Sequence, residues 1–408
     1  MNEGVERGPV ERPALARLIG IPVSDFARDH WGEQPLLTRK GAGFDDLFTA
    51  NAVDELVADR ATRTPFVRMA VEGSVLPSSV FTSSGGFGAE VGDQIDSAKV
   101  LEQFAGGATI VLQGLHRNWA PIATFTRQLI SDIGHPAQVN AYITPASARG
   151  FDAHYDTHDV FVVQIAGAKR WTIHEPVHRH PLVDQPWTDH SAAVADRAST
   201  APRIDAVFEP GDVLYLPRGW IHSAVAQGGT SIHLTIGVRA ATRHDLLTQL
   251  LGAAGEDPSL RRHLPLGVDF ADASTFAPDT AATITAARGL LEAAAAGGAI
   301  GDAMQRAFQD AVRPAPVRPL ATVDLMTDLP PTAVLGWRDA LRGRVEEDDT
   351  TVRIVLPGKT IALPGEASAA VHALRARPHP AGRLPGLDAA SSLVVSRRLL
   401  REGVLTPR

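Results

Sequence analysis

Between about residues 108 and 238 the chain alternates short apolar runs with Gly- and Pro-rich turns. Residues 108–113, 139–145, 160–165, 170–174, 207–211, 212–216 and 230–238 each read as a strand. In the run Val139-Asn140-Ala-Tyr142-Ile-Thr-Pro145 polar and apolar positions alternate, so Asn140 and Tyr142 fall on one face. Many short strands with such turns predict a barrel or sandwich, and a small barrel can hold a ligand at its mouth. Upstream the pattern is mixed. A helix with Ser24 as its cap carries Phe26 and Trp31 as core anchors. A strand at 35–38, a helix over 44–58, a strand over 67–75 and helices over 97–104 and 119–133 complete that part. Residues 78–95 form a Ser/Gly-rich loop without a phosphate-binding fingerprint.

After Val238 the periodicity changes. Leu246, Leu247, Leu250 and Leu251 mark one face of a helix, and residues 280–295 and 302–312 also read as helices. This Ala/Leu-rich stretch carries no candidate for chemistry, which leaves packing, including packing between subunits. A Pro-rich link at 314–319 opens a third region. There, two alternating strands flank Pro357-Gly358 as a hairpin. A helix from Asp388 as cap to Gly403 as stop follows. Helices plus a hairpin make a winged-helix-like module. Arg397, Arg398 and Arg401 decorate its last helix, but the acidic run 346–349 offsets them, so direct nucleic-acid binding is not expected. The expected domains are therefore 1–238, 239–312 and 313–408.

With 408 residues and 44% hydrophobic content the chain can bury a sizeable core. A net charge of -7 gives no overall attraction to nucleic acid or anionic membrane. The absence of cysteine excludes disulfides, iron–sulfur clusters, thiolate zinc sites and cysteine nucleophiles. The first residues hold acids and no apolar run, so no signal peptide is expected, and no stretch is long enough for a membrane span. The cytoplasm is the expected location.

Candidate chemistry centres on His154-Tyr-Asp156 and on His222, which closes the run Pro210-Gly-Asp-Val-Leu-Tyr-Leu-Pro-Arg-Gly-Trp-Ile-His222. Two histidines and a carboxylate can take one face of an Fe(II) ion and leave the other open. On a strand, His154 and Asp156 would share a face, but so would His158, and a shifted ligand set stays open at this point. Lys169 follows His154 by fifteen residues, where a cation could hold the distal carboxylate of a dicarboxylic cosubstrate.

These motifs, with Asp159-Val-Phe-Val-Val-Gln164, Lys169-Arg-Trp171 and His233-Leu-Thr235, resemble those of the Jumonji-C ribosomal oxygenases, the cupin-4 family. The resemblance spans nearly the whole chain. It implies a mainly β core, a double-stranded β-helix of the cupin/Jumonji-C type, followed by an α-helical dimerisation region and an α+β winged-helix domain. It implies Fe(II) and 2-oxoglutarate, with His154, Asp156 and His222 on the metal and Lys169 on the distal carboxylate. Asn140 and Tyr142 match polar positions near the cosubstrate. The implied reaction is hydroxylation of a protein side chain, an arginine or histidine of a ribosomal protein, by a homodimer. Gly237 departs from the pattern, since it falls where a polar contact with the cosubstrate is expected. Nothing in the sequence reads the substrate itself. The same chemistry on a biosynthetic peptide or amino acid, and a metal-binding cupin scaffold without oxygenase activity, remain as alternatives.

Overall fold

One long strand pair organises the N-terminal part of the computed structural model. Nine strands form a single sheet: β1 (Leu36–Thr38), β2 (Val67–Val71), β3 (Ser74–Val75), β4 (Thr109–Leu112), β5 (Ala137–Thr144), β6 (Asp159–His174), β7 (Ile204–Phe208), β8 (Val213–Leu216) and β9 (Ile221–Val238). The order is β1-β8-β6-β9-β5-β4-β2-β3, with β7 added on β6. All pairings are antiparallel. Residues 12–408 are described, except 42, 72, 147–151, 256 and 298. The N-terminal run read for a signal peptide, and Gly150 and Phe151 ahead of His154, lie outside the described residues.

Where the sequence suggested separate strands at 160–165 and 170–174, the structure has one strand, β6. Likewise His222 is not set apart from the last strand by a link, because it is the second residue of the 18-residue β9. The misreading has a local cause. Gly167 sits at φ +61, and a Cβ there would lie 2.1 Å from the Thr230 carbonyl oxygen. Opposite it the register of β9 shifts between Gln227 and Ile232. A bulge of this kind bends the ribbon. The two halves of β6 then face each other: Val160 and Val162 pack in one apolar cluster with Trp171, Ile173, Phe208 and Leu214.

The other face of the sheet is covered by α1 (Pro13–Ile19), α2 (Val23–Asp29), α3 (Ser97–Ala105) and α4 (Ala120–Ile133), whose apolar residues join the largest core cluster. Phe26 does pack there, 4.9 Å from the Tyr215 ring, and Trp31 stacks on the same ring at 5.9 Å. Pro22, not Ser24, precedes the first turn of α2, and no side chain caps it. The helix expected over 44–58 is shorter, an α turn at Ala50–Asp54 continued by a π turn at Glu55–Asp59. Asp212 fixes β1 to β8. Its buried carboxylate accepts from the Arg39 side chain (2.7 Å) and from the Lys40 (2.8 Å) and Glu209 (3.0 Å) amides.

The chain's contacts divide it into two units, Met1–Ala240 and Ala241–Arg408. The second holds α5 (Arg243–Ala254), α6 (Ala277–Gly297), α7 (Ala299–Ala311) and α8 (Pro319–Thr327). It continues with β10 (Val334–Trp337), β11 (Arg344–Glu347), β12 (Thr351–Leu356), β13 (Lys359–Pro364), α9 (Ser368–Ala376), β14 (His379–Pro380), α10 (Ala389–Arg401) and β15 (Leu405–Pro407). The hairpin read around Pro357-Gly358 is β12–β13, and β11 adds a third strand. Asp388 caps α10 by accepting from the Ser391 amide at 2.7 Å. The acidic run pairs elsewhere than on the arginines of that helix. Glu346 meets Arg344, and Glu347 meets His372. Arg398 pairs with Glu402 instead.

Candidate metal and dicarboxylate site

The His154 segment and the His222 turn are sewn together by main-chain bonds. His154 N–H donates to the His222 carbonyl (3.2 Å), and His222 N–H donates back to the His154 carbonyl (2.8 Å). Gly219 N–H donates to the Asp156 carbonyl at 3.0 Å, and Arg218 N–H to the Asp159 carboxylate at 3.0 Å. Gly219 can enter this turn because it sits at φ +88, and a Cβ would lie 2.7 Å from the His178 carbonyl oxygen. The His154-x-Asp156 motif itself is not on a regular strand, as the alternation argument required. It lies just ahead of β6, joined to β9 by a single bridge.

This stitching brings His154, Asp156 and His222 together with one ligand atom from each within 4.8 Å of the others. Each ring is aimed through its Nδ1. That of His154 lies 2.6 Å from the Asp152 carbonyl oxygen and that of His222 3.2 Å from the Trp220 carbonyl oxygen. A proton held on Nδ1 leaves the lone pair on Nε2, the usual device for orienting a metal-bound imidazole. Burial, with His154 close by, brings the His222 pKa down to about 4, so the ring is neutral near neutral pH. Burial presses the Asp156 carboxyl upward, but the rings of His222, His158 and His154 outweigh it and hold it below its ordinary range. Two imidazoles and a carboxylate fit a divalent metal of the Fe(II) type, with further coordination positions left for other ligands.

A cavity of about 300 Å³ opens beside these three groups. Along the β6–β9 ladder His222 lies opposite Ile173 and Ala226 opposite Lys169, so Lys169 stands four positions further along the same face. The Lys169 ammonium is 3% exposed and donates to the Thr144 hydroxyl at 3.2 Å, with Thr109 3.4 Å beyond. Burial lowers its pKa to about 8. No carboxylate pairs with it among the described residues. Its charge, together with burial, holds His233 well below the ordinary histidine range, so that ring is neutral too. A buried cation beside hydroxyls, in a cavity that also reaches three groups able to hold a metal ion, can receive a carboxylate.

Of the other expected residues, Tyr142 lines the cavity, stacked on His233 with ring centres 5.0 Å apart. Burial raises its pKa, and Asp156 adds to the rise. Asn140 does not line the cavity. Its Oδ1 accepts from the Gly114 amide at 3.0 Å, at the strand edge. His158 is not one of the three grouped ligands, although its ring is near enough to act on the Asp156 carboxyl. Its ring lies over Gly237, where a Cβ would come 2.7 Å from Nε2. The departure at Gly237 is thereby explained, since the space of a side chain there is filled by His158. Sequence reasoning passed over Arg68, Thr144, Trp187 and His233, all of which line the cavity. Thr144 could have been found by extending the alternation from Tyr142, and Arg68 by asking why a charge interrupts Val67–Val71, whereas His233 comes from the paired strand.

Residues 116–246 match the JmjC domain model, and the metal-ligating cluster and the cavity fall largely within them. The chain is a JmjC-domain protein. It is 27% identical over 281 residues to the "Bifunctional lysine-specific demethylase and histidyl-hydroxylase NO66" of Drosophila persimilis, covering 64% of this chain and 37% of that one. It is 37% identical over 155 residues to "Ribosomal oxygenase 1" of Homo sapiens, covering 36% and 23%. The chain thus spans between about a quarter and a little more than a third of the length of these relatives. Crystal structures of the Escherichia coli ribosomal oxygenase YcfD share its fold, with a TM-score of 0.51 at 17% identity over 95% of this chain and 98% of the other. A second YcfD structure, with cobalt and 2-oxoglutarate, gives 0.51 at 18% identity over 96% and 99%. Over these segments the chain is thus similar to proteins named as ribosomal oxygenases.

Proposed function

We propose that this chain is an Fe(II)- and 2-oxoglutarate-dependent dioxygenase that hydroxylates a side chain of a protein, an arginine or histidine of a ribosomal protein. One observation carries the reading: a buried Lys169, with no carboxylate partner among the described residues, shares a cavity with the His154, Asp156 and His222 cluster. A metal-binding scaffold needs no such cation, whereas a 2-oxo dicarboxylate fits both anchors at once. Bound iron and 2-oxoglutarate would supply the oxidising power that inserts oxygen into a carbon–hydrogen bond.

The residues present would do the rest. His154, Asp156 and His222 hold the metal, and Lys169 with Thr144 holds the distal carboxylate. Tyr142 and His233 wall the cosubstrate side. Asn140 acts on it indirectly, by tying β5 to the Gly114 turn. Trp171 and Trp187 shield the cavity from water. The relatives' names, histidyl-hydroxylase and ribosomal oxygenase, support the target class.

The domain plan extends to the second unit. Residues 239–312 serve as a dimerisation region, because Leu246, Leu247, Leu251 and Phe270 are exposed there in the single chain. Residues 313–408 act as a winged-helix domain without direct nucleic-acid contact. No helix among the described residues is long and apolar enough to cross a membrane, and we place the activity in the cytoplasm.

The test is mass spectrometry. The protein is loaded with Fe(II) without air, then given air, 2-oxoglutarate and the ribosomal proteins of its own host. One ribosomal protein should gain the mass of one oxygen atom, and the gain should vanish in His154→Ala. Succinate without a modified ribosomal protein moves the target to a peptide or free amino acid. Neither product leaves the metal-binding scaffold.

A further inference from the structure

The cavity holds a second cation that the reading above does not use. Arg68, on β2, lines it and donates a hydrogen bond to the Tyr142 phenol oxygen. The register carries it there: Arg68 lies opposite Val111, Val111 opposite Tyr142, and Tyr142 opposite His233, so Arg68 stands two strands from Tyr142 on the same face. Its Nε–H is buried and has no hydrogen-bond partner. An arginine in the middle of Val67–Val71, between buried Val67 and Met69, is costly unless something uses its donors.

Charge balance indicates what that is. Asp156 is the single carboxylate among the described residues that line the cavity, and it belongs to the metal cluster. A divalent metal, Asp156, a dicarboxylate and Lys169 together come to zero. Arg68 is then left as an uncompensated positive charge facing the space where a target side chain must enter. A guanidinium that lines the cavity offers N–H donors to a carbonyl or carboxylate there. It repels another cation, and among the described residues that line the cavity no acid besides Asp156 offsets that.

The geometry points to Arg68 as the residue that sets target specificity: it selects a side chain bearing a hydrogen-bond acceptor and rejects cationic side chains. This rests on the oxygenase reading and narrows it, because it argues against an arginine target.

Arginine and citrulline test it, since they share a shape while citrulline is neutral and carries an acceptor oxygen. Two degenerate peptide libraries, with arginine or citrulline fixed at the centre, are offered to the anaerobic Mn(II)·2-oxoglutarate protein, and bound peptides are counted by mass spectrometry. Cosubstrate binding is followed separately by the fluorescence of Trp171 and Trp187. The native protein should retain the citrulline library about tenfold or more over the arginine library. Arg68→Gln should bring that ratio near one. Arg68→Lys should keep the rejection of arginine with a smaller citrulline gain. Equal retention, preference for arginine, or no retention by native protein that binds 2-oxoglutarate overturns the assignment while leaving the oxygenase reading intact. If Arg68→Gln keeps the native ratio, Arg68 is not the selector. Absence of 2-oxoglutarate binding overturns the underlying reading, and this assignment with it.

Discussion

His154 and His222 are hydrogen-bonded to each other through their main chains in both directions, at 3.2 and 2.8 Å. The spacing of the two imidazoles is therefore set by backbone as well as by side-chain packing, and the ring centres stand 4.4 Å apart. Removing one ring should leave this bridge, and so the fold, in place. His154→Ala and His222→Ala should each weaken Mn(II) or Co(II) binding by on the order of 100-fold or more. Circular dichroism should be unchanged. Native-like metal affinity in either variant, by titration calorimetry, would remove that histidine from the ligand set.

Lys169 should separate cosubstrate binding from metal binding. Leaving a buried carboxylate without its cation costs about 2–5 kcal/mol, so Lys169→Ala should weaken 2-oxoglutarate by roughly 30-fold or more. Metal affinity should stay close to native. If 2-oxoglutarate binds the variant as it binds the native protein, the distal carboxylate lies elsewhere.

The same lysine gives a pH signature in the protein free of metal and cosubstrate. Its ordinary pKa is 10.5, and burial brings it to about 8. Between those values the unfolded chain holds the proton and the folded chain does not, so stability rises with pH across that window. The stability tied to neutral lysine is complete above 10.5 and lost as pH falls through 8. At pH 7 the buried charge costs about 3 kcal/mol, taking 1.36 kcal/mol for each pKa unit. Lys169→Met should therefore be more stable than native at pH 7 by that order, and the gap should narrow as pH approaches 10.5. Denaturant titrations at several pH values read it directly, and a constant gap would refute the burial argument.

Much of this site was legible in the sequence because its groups lie in short runs with fixed alternation. His154-x-Asp156, Lys169 and the run ending at His222 supplied the candidates, whereas Tyr142 came from the family resemblance, since its parity alone pairs it with Asn140, which does not line the cavity. Two kinds of feature escaped. Gly167 breaks one strand into what reads as two, since only the partner strand reveals that both halves pair with β9. Arg68 comes from a strand far upstream, and it is the ladder through β4 and β5 that carries it beside Tyr142. Ser24 failed as a cap because the helix already starts at Val23, with Pro22 in the cap position two residues before Ser24. Sequence windows hold local chemistry, whereas contacts made through sheet order do not appear in them.

The apolar residues exposed over 239–312 give a prediction about assembly. Light scattering at micromolar concentration should return twice the chain mass. Leu247→Asp combined with Leu251→Asp places two charges on the exposed face of α5 and should shift the mass toward a single chain. A native protein that already runs as a single chain would refute the dimerisation role.

Gly237 and His158 should behave as one unit. A Cβ at 237 would come 2.7 Å from His158 Nε2, closer than real contacts allow, and the backbone there is not in the left-handed region. The obstacle is the imidazole alone, so the cost of Gly237→Ala should be set by how far that ring can move. Overpacking of this size costs about 1–3 kcal/mol. His158→Ala removes the ring and should cost less, since no hydrogen-bonding group is orphaned by it. In the double variant the new methyl enters the space the ring has left, and most of the Gly237→Ala penalty should disappear. A double-mutant cycle from urea denaturation would show a coupling of about 1 kcal/mol or more. Additive effects would mean that something other than His158 keeps position 237 free of a side chain.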